Sequence, residues 1–224
     1  MTIVQHIYSI IENLKNKITI DIEYSLKLFH NIVGFIHCII TFLVSIYLLN
    51  ESYYDPLEEL SYKSYVILTN TVILSSIYYF FGTIALFFDK WTTRSLEYLI
   101  HHMLAIIIPM TSVMMYKYTK ILSLLYTMEM SSMLICSREF FSMTNANKIV
   151  RNINDILFVI SFALCRSYIP IYITYTVVSN YHLFFDDPIF LIYLPAITIG
   201  NVLNIYWFFM IVNKIYLLIN DVKK

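Results

Sequence analysis

The sequence predicts an all-α fold, a polytopic transmembrane helical bundle of about six spans, and three observations carry that expectation. Of the 224 residues, 59% are hydrophobic and 13% charged, with a mean hydropathy of +0.68; average soluble domains hold about 45–50% and about 25%. A water-soluble globule needs charge over its whole surface, whereas a bundle in lipid needs it only in loops and at helix ends. Six apolar runs lie between charged or proline-containing breaks. The basic residues gather in alternate loops.

A helix crossing about 30 Å of hydrocarbon needs about 20 apolar residues. The runs cover residues 32–49, 65–88, 96–115, 121–140, 153–178 and 189–219. The last is too long for one simple crossing and contains Pro195 and Gly200. It is expected to start as an interfacial segment or to kink near Pro195. In residues 3–30, Ile, Tyr and Leu alternate with Glu, Lys and Asp at roughly helical spacing. An interfacial amphipathic helix and a short cytosolic helix packed under the bundle fit this pattern equally. Residues 1–30 are set apart as this N-terminal segment, and 31–220 form one transmembrane domain without a linker, repeat or low-complexity tract to divide it. No small-residue cleavage site follows an apolar core near the start, so no cleavable signal peptide is expected.

Short cytoplasmic loops accumulate Lys and Arg. One side holds eleven: Lys15, Lys17 and Lys27, then Lys90 and Arg94, then Arg138, Lys148 and Arg151, then Lys214, Lys223 and Lys224. The other holds Lys63, Lys117 and Lys120, and Arg166 lies inside a span. The imbalance favours six spans with both ends cytosolic. Net charge is zero, so no global field argues for nucleic acid, and membrane lipids are the expected partners. A homo-oligomer is compatible with all of this. Cys38, Cys136 and Cys165 fall in apolar runs and read as small buried hydrophobes rather than disulfide partners. The twenty tyrosines fit interfacial belts or a biased composition equally, and carry no functional weight.

Ionisable groups inside a span cost several kcal/mol unless they face a cavity or a partner, so each is a candidate site residue. His101 and His102 fall in the first two turns of the third span, and Glu97 stands one turn before His101, where it is expected to bond to it. Adjacent helical residues point about 100° apart, so one histidine must lead. The bland alternative has both bonding to loop carbonyls. No H-x-x-x-H or C-x-x-C spacing occurs, so no metal is expected. Glu129 sits near the middle of the fourth span with Ser132 and Cys136 on its face. Arg166, in the fifth span with Asp155 on nearly the same face, is its expected partner. Such a pair either serves a site or only fixes helix register.

These residues resemble a known family. Asp89-Lys90-Trp91 followed by Leu99-Ile100-His101-His102-Met103-Leu104-Ala105-Ile106 is similar to the head of the TLC domain, shared by ceramide synthases, translocation-associated membrane proteins and several lipid-regulatory proteins. Met128-Glu129-Met130-Ser131-Ser132 then looks like the Glu-x-Ser-Ser/Thr element of the non-synthase members. Asn154-Asp155 through Phe162 and Arg166 looks like their Asn-containing helix, and Leu203-Asn204-Ile205-Tyr206-Trp207-Phe208 resembles their final helix. The four elements fall in order over residues 30 to 220. In the synthase branch the span after the double histidine carries a His-Asp pair and a further Asp, tied to acyl transfer; Met128-Glu129 and Ser131-Ser132 stand there instead.

The resemblance implies a lipid-handling membrane protein nearer the non-synthase members, in a membrane of endoplasmic-reticulum type. Its interior would admit an acyl chain, with His101 and His102 as candidate catalytic residues and Glu129, Ser132, Arg166 and Asn154 as candidate substrate contacts. No bound cofactor is expected. The alternative is ceramide-synthase-like acyl transfer with acyl-CoA as co-substrate, in which a histidine is base or acyl acceptor and Glu129 orients it. A channel would show rings of like polar residues along one helix face, which do not occur here. A purely structural membrane partner would tolerate loss of both histidines.

Overall fold

The computed structural model describes residues 28–50, 60–88, 93–184 and 187–222, and these are almost entirely helical. The helices are α1 (Leu28–Asn50), α2 (Tyr62–Phe88), α3 (Thr93–Met114), α4 (Thr119–Tyr126), α5 (Glu129–Met143), α6 (Lys148–Phe162), α7 (Ile169–Ser179), α8 (Tyr181–Phe184) and α9 (Phe190–Val222). A π-helical turn, Ala163–Tyr168, joins α6 to α7. Most of the N-terminal segment, the loop holding Asp89, Lys90 and Trp91, and the C-terminal lysines lie outside the described residues.

Among the described residues, five segments are long and apolar enough to cross a membrane: Leu28–Asn50, Tyr62–Ile84, Leu96–Met114, Lys148–Ser179 and Phe190–Leu217. The all-α transmembrane expectation holds, and all six apolar runs are helical. The fourth differs from an unbroken span, because α4 and α5 are separate helices. At Thr127 and Met128 the dihedrals are −64°, −21° and −62°, −21°, the range of a 3₁₀ turn. The amides of Thr127 and Met128 bond three residues back, to Leu124 and Leu125. The Thr127 hydroxyl donates to the Leu124 carbonyl at 2.6 Å, a side-chain bond that competes with the helical ladder. The sixth run is unbroken. It is one 33-residue helix that continues through Pro195, about 50 Å long at 1.5 Å per residue.

The distribution of polarity is that of a lipid-embedded bundle. Large apolar side chains such as Leu191, Tyr175, Ile171, Phe209 and Phe29 point outward. Small polar residues line the helix contacts: Ser45, Ser64, Ser75, Ser112, Ser123 and Ser131 are all fully buried. Small residues let helices approach closely where lipid already solvates the apolar faces. Ser45, Ser123 and Ser131 also donate to backbone carbonyls three or four residues back, which satisfies their hydroxyl protons locally.

The end where α3 finishes and α9 starts is laced by side chains. Tyr116 Oη donates to the Leu60 carbonyl at 3.0 Å and Tyr65 Oη to that of Val113, while Lys117 Nζ and Tyr118 Oη both donate to Asp187 Oδ2 at 2.7 Å. Tyr116 and Tyr118 adopt positive φ, 54° and 58°, to make this reversal.

Candidate functional site

α3 and α9 run antiparallel and, with α2, α4, α5, α7 and the π turn, wall a half-open cavity of about 110 Å³. Along α9 the cavity runs from Ala196 to Trp207, which at 1.5 Å per residue is about 16 Å deep. One end is apolar, formed by Ile108, Pro109, Leu122, Ile173 and Ile197; the other carries His101, Glu129, Arg166, Asn204 and Trp207. A mostly apolar cleft with a few convergent polar groups is the usual form of a small-molecule site.

Arg166 owes its position to Pro170. Proline has no N–H and its ring crowds the carbonyl four residues back, which here is that of Arg166, so the helix widens into the π turn at this residue. The buried guanidinium forks across three neutral acceptors: Nε to Ser131 Oγ at 2.8 Å, Nη2 to Ser132 Oγ at 2.6 Å and Nη1 to Asn204 Oδ1 at 3.4 Å. The rings of Phe162 and Trp207 lie 5.8 Å from its Cζ, within reach of cation–π attraction.

The expected Glu129–Arg166 ion pair is not formed. Glu129 Oε1 accepts from Tyr79 Oη at 2.7 Å and Oε2 from Cys38 Sγ at 3.3 Å. Thus α1 and α2, not the π turn, hold the carboxylate. Asp155 is also engaged elsewhere, 3.0 Å from Arg138 Nε. Glu97 does not meet His101; its Oε2 accepts from Trp207 Nε1 at 3.1 Å, because the indole reaches across from α9.

The two histidines part as the helical geometry requires. His101 lines the cavity, edge-on to Trp207 at 5.5 Å and to Tyr79 at 5.9 Å between centroids. Among the described residues no side-chain hydrogen bond engages its ring nitrogens. His102 turns toward α2, where its Nδ1 lies 3.3 Å from Thr83 Oγ1, and it fills the space over Gly82: a Cβ there would come within 2.9 Å of His102 Cε1. Ser132 reaches the site only through Arg166. Asn154 stands apart from the cavity, its Nδ2 donating to the Leu134 carbonyl at 3.0 Å to tie α6 to α5.

Several residues of the cluster escape a reading of the sequence. His37 in α1 bonds Ser75 Oγ through Nε2 at 3.0 Å and stacks on Tyr78 at 4.3 Å. With Cys38 and Glu129 it forms a buried trio whose ligand atoms lie within 4.8 Å of one another. His37 carried a usable signal, an ionisable group in mid-span, whereas Tyr79 is one tyrosine among twenty.

The family model of the TLC domain, whose name joins TRAM, LAG1 and CLN8, matches residues 27–213. No curated protein matches the chain significantly. The matched range takes in every helix of the cavity wall, together with His101, Glu129, Arg166 and Asn204, and the chain is a multi-pass membrane protein that belongs to the TLC domain family.

Proposed function

We propose that the chain binds a membrane lipid, with an acyl chain in the cavity and the polar end of the lipid at Arg166, His101 and Glu129. The observation that carries this reading is the guanidinium of Arg166, a buried cation held by neutral partners at the polar end of a mostly apolar cavity. A cation so placed keeps most of its attraction for a phosphate, carboxylate or carbonyl oxygen, since little solvent screens it. The depth and apolar lining suit a hydrocarbon chain rather than a compact polar solute. The Met128-Glu129 and Ser131-Ser132 pattern supports placing the chain among the non-synthase members, and an endoplasmic-reticulum-type membrane is the corresponding location.

One feature favours a second reading, acyl-CoA-dependent N-acyl transfer to a sphingoid base. Among the described residues no side-chain hydrogen bond engages the ring nitrogens of His101, which lines the cavity, as a proton carrier or acyl acceptor requires. Ser132 would then only brace Arg166, and His102 would only brace α2.

Mass spectrometry of lipids that co-purify with the full chain tests both. Ala105 lines the cavity, and Ala105→Phe is expected to lower the bound lipid about tenfold, equivalent to about 1.4 kcal/mol, while the protein still elutes as a folded species. Undiminished lipid in that variant overturns the cavity as the binding site. Incubation with labelled acyl-CoA and sphingoid base separates the readings: product formation abolished by His101→Ala establishes the transferase, and bound lipid without turnover leaves the binder.

A further inference from the structure

On the side of Glu129 away from Arg166, we infer a site for a zinc-type divalent metal ion, held by His37, Cys38 and Glu129. Borderline-soft Zn²⁺ accepts imidazole, thiolate and carboxylate together, usually in tetrahedral array. With Zn–S near 2.3 Å and Zn–N and Zn–O near 2.0–2.1 Å, tetrahedral ligands stand about 3.3–3.6 Å apart. Cys38 Sγ is already 3.3 Å from Glu129 Oε2 and 4.0 Å from His37 Nδ1. All three ligand atoms lie within 4.8 Å of one another and all three residues are buried. His37 and Cys38 are neighbours on α1 and point about 100° apart, so completing the geometry takes a rotation of the His37 and Glu129 side chains that closes a separation of up to 4.8 Å.

The surroundings orient each ligand as a metal site needs. His37 Nε2 is engaged by the Ser75 hydroxyl at 3.0 Å, which directs Nδ1 and its lone pair toward Cys38 and Glu129. Tyr79 Oη holds Glu129 Oε1 at 2.7 Å and so turns Oε2 into the trio. Fixing the tautomer of a histidine and the rotation of a carboxylate is the work of outer-shell partners in metal sites. Charge balance agrees. Binding exchanges the Cys38 thiol proton for the metal, and a dication with one thiolate, one carboxylate and a neutral imidazole has no net charge, which suits a bilayer interior. The fourth position would face the cavity side of Glu129 or the neighbouring Cys136 thiol.

The metal site shares Glu129 with the proposed lipid site, and it is tested by metal content, a readout that lipid binding alone does not supply. Full-length protein purified without chelator is expected to carry about one zinc per chain by mass spectrometry of the metal. Cys38→Ser and His37→Ala are expected to reduce that at least tenfold. Because either substitution can disturb α1, the native chain is also stripped and refilled with Co²⁺. A thiolate-to-cobalt charge-transfer band in the near ultraviolet supports the site. Stripped native protein that takes up neither metal, uptake unchanged by Cys38→Ser, or a Cys38–Cys136 disulfide in the protein as purified would each overturn it.

Discussion

The end of the bundle where α3 finishes and the interior around Arg166 both gather polar side chains from distant parts of the chain, in opposite ways. At that end, charge meets charge: Lys117 and Tyr118 converge on Asp187, and Tyr116 closes onto Leu60. In the interior the two charges stay apart. Glu129 is held by a phenol and a thiol, Arg166 by two hydroxyls and an amide, although both line the same cavity. Polar groups that satisfy one another close a fold. A buried anion and cation each satisfied by neutral groups keep capacity for a third party, at a cost in desolvation that the fold must offset elsewhere.

The largest expected effect is at Arg166. Arg166→Lys keeps the charge but loses the fork that reaches Ser131, Ser132 and Asn204 together. Stranding those acceptors around a point charge is expected to cost about 2–4 kcal/mol, on the scale for breaking buried charged networks. Thermal unfolding in detergent should show a fall in Tm on the order of 10 °C. Arg138→Lys, at a half-exposed pair with Asp155, should change stability by less than about 1 kcal/mol. Equal shifts in the two variants would remove the distinction between interior and peripheral charge.

Much of this was legible in the sequence, for reasons that also explain what was not. The helices follow from hydrophobic run length, which lipid imposes on every span alike, so their limits agree within a few residues. Arg166 and Glu129 stand out because a charge in an apolar run is costly wherever it points. Their partners do not, since pairing depends on how helices rotate against one another. Composition cannot show that Pro170 widens the helix at Arg166, or that the 3₁₀ turn at Thr127 brings Glu129 to face α1 and α2. The expected ion pair rested on type and depth alone, and the rotation of two helices undid it. Asn154 is a similar case, a polar residue in a span whose amide serves a neighbouring backbone carbonyl.

A smaller effect separates the two histidines. Gly82 packs directly beneath the His102 ring, so Gly82→Ala places a methyl at 2.9 Å from Cε1. Overpacking of this kind costs about 1–3 kcal/mol. Because His102 causes the clash, Gly82→Ala combined with His102→Ala should recover most of the stability lost by Gly82→Ala alone, while lipid retained in the cavity is unchanged. Loss of lipid binding on replacing His102, with His101 intact, would show that both histidines serve the site and that the division between them is wrong.

The smallest effect is at the end closed by Asp187. Burial of its carboxyl would raise its pKa, but hydrogen bonds from Lys117, from Tyr118 and from the Ile189 amide together hold it below the ordinary 3.8. A carboxyl whose folded pKa is depressed contributes stability above its unfolded pKa and loses that contribution as pH falls through the folded value. Lys117 is half exposed, so solvent screens the pair and its whole contribution stays below about 1 kcal/mol. Asp187→Asn should therefore unfold slightly below the native chain at pH 6 to 7, and the gap should close as the medium is taken below about pH 4, since both chains then carry a neutral side chain there. A gap that persists in acid would mean that Asp187 acts through the geometry of the α9 start, where its Oδ1 accepts from the Ile189 amide at 3.0 Å, and not through its charge.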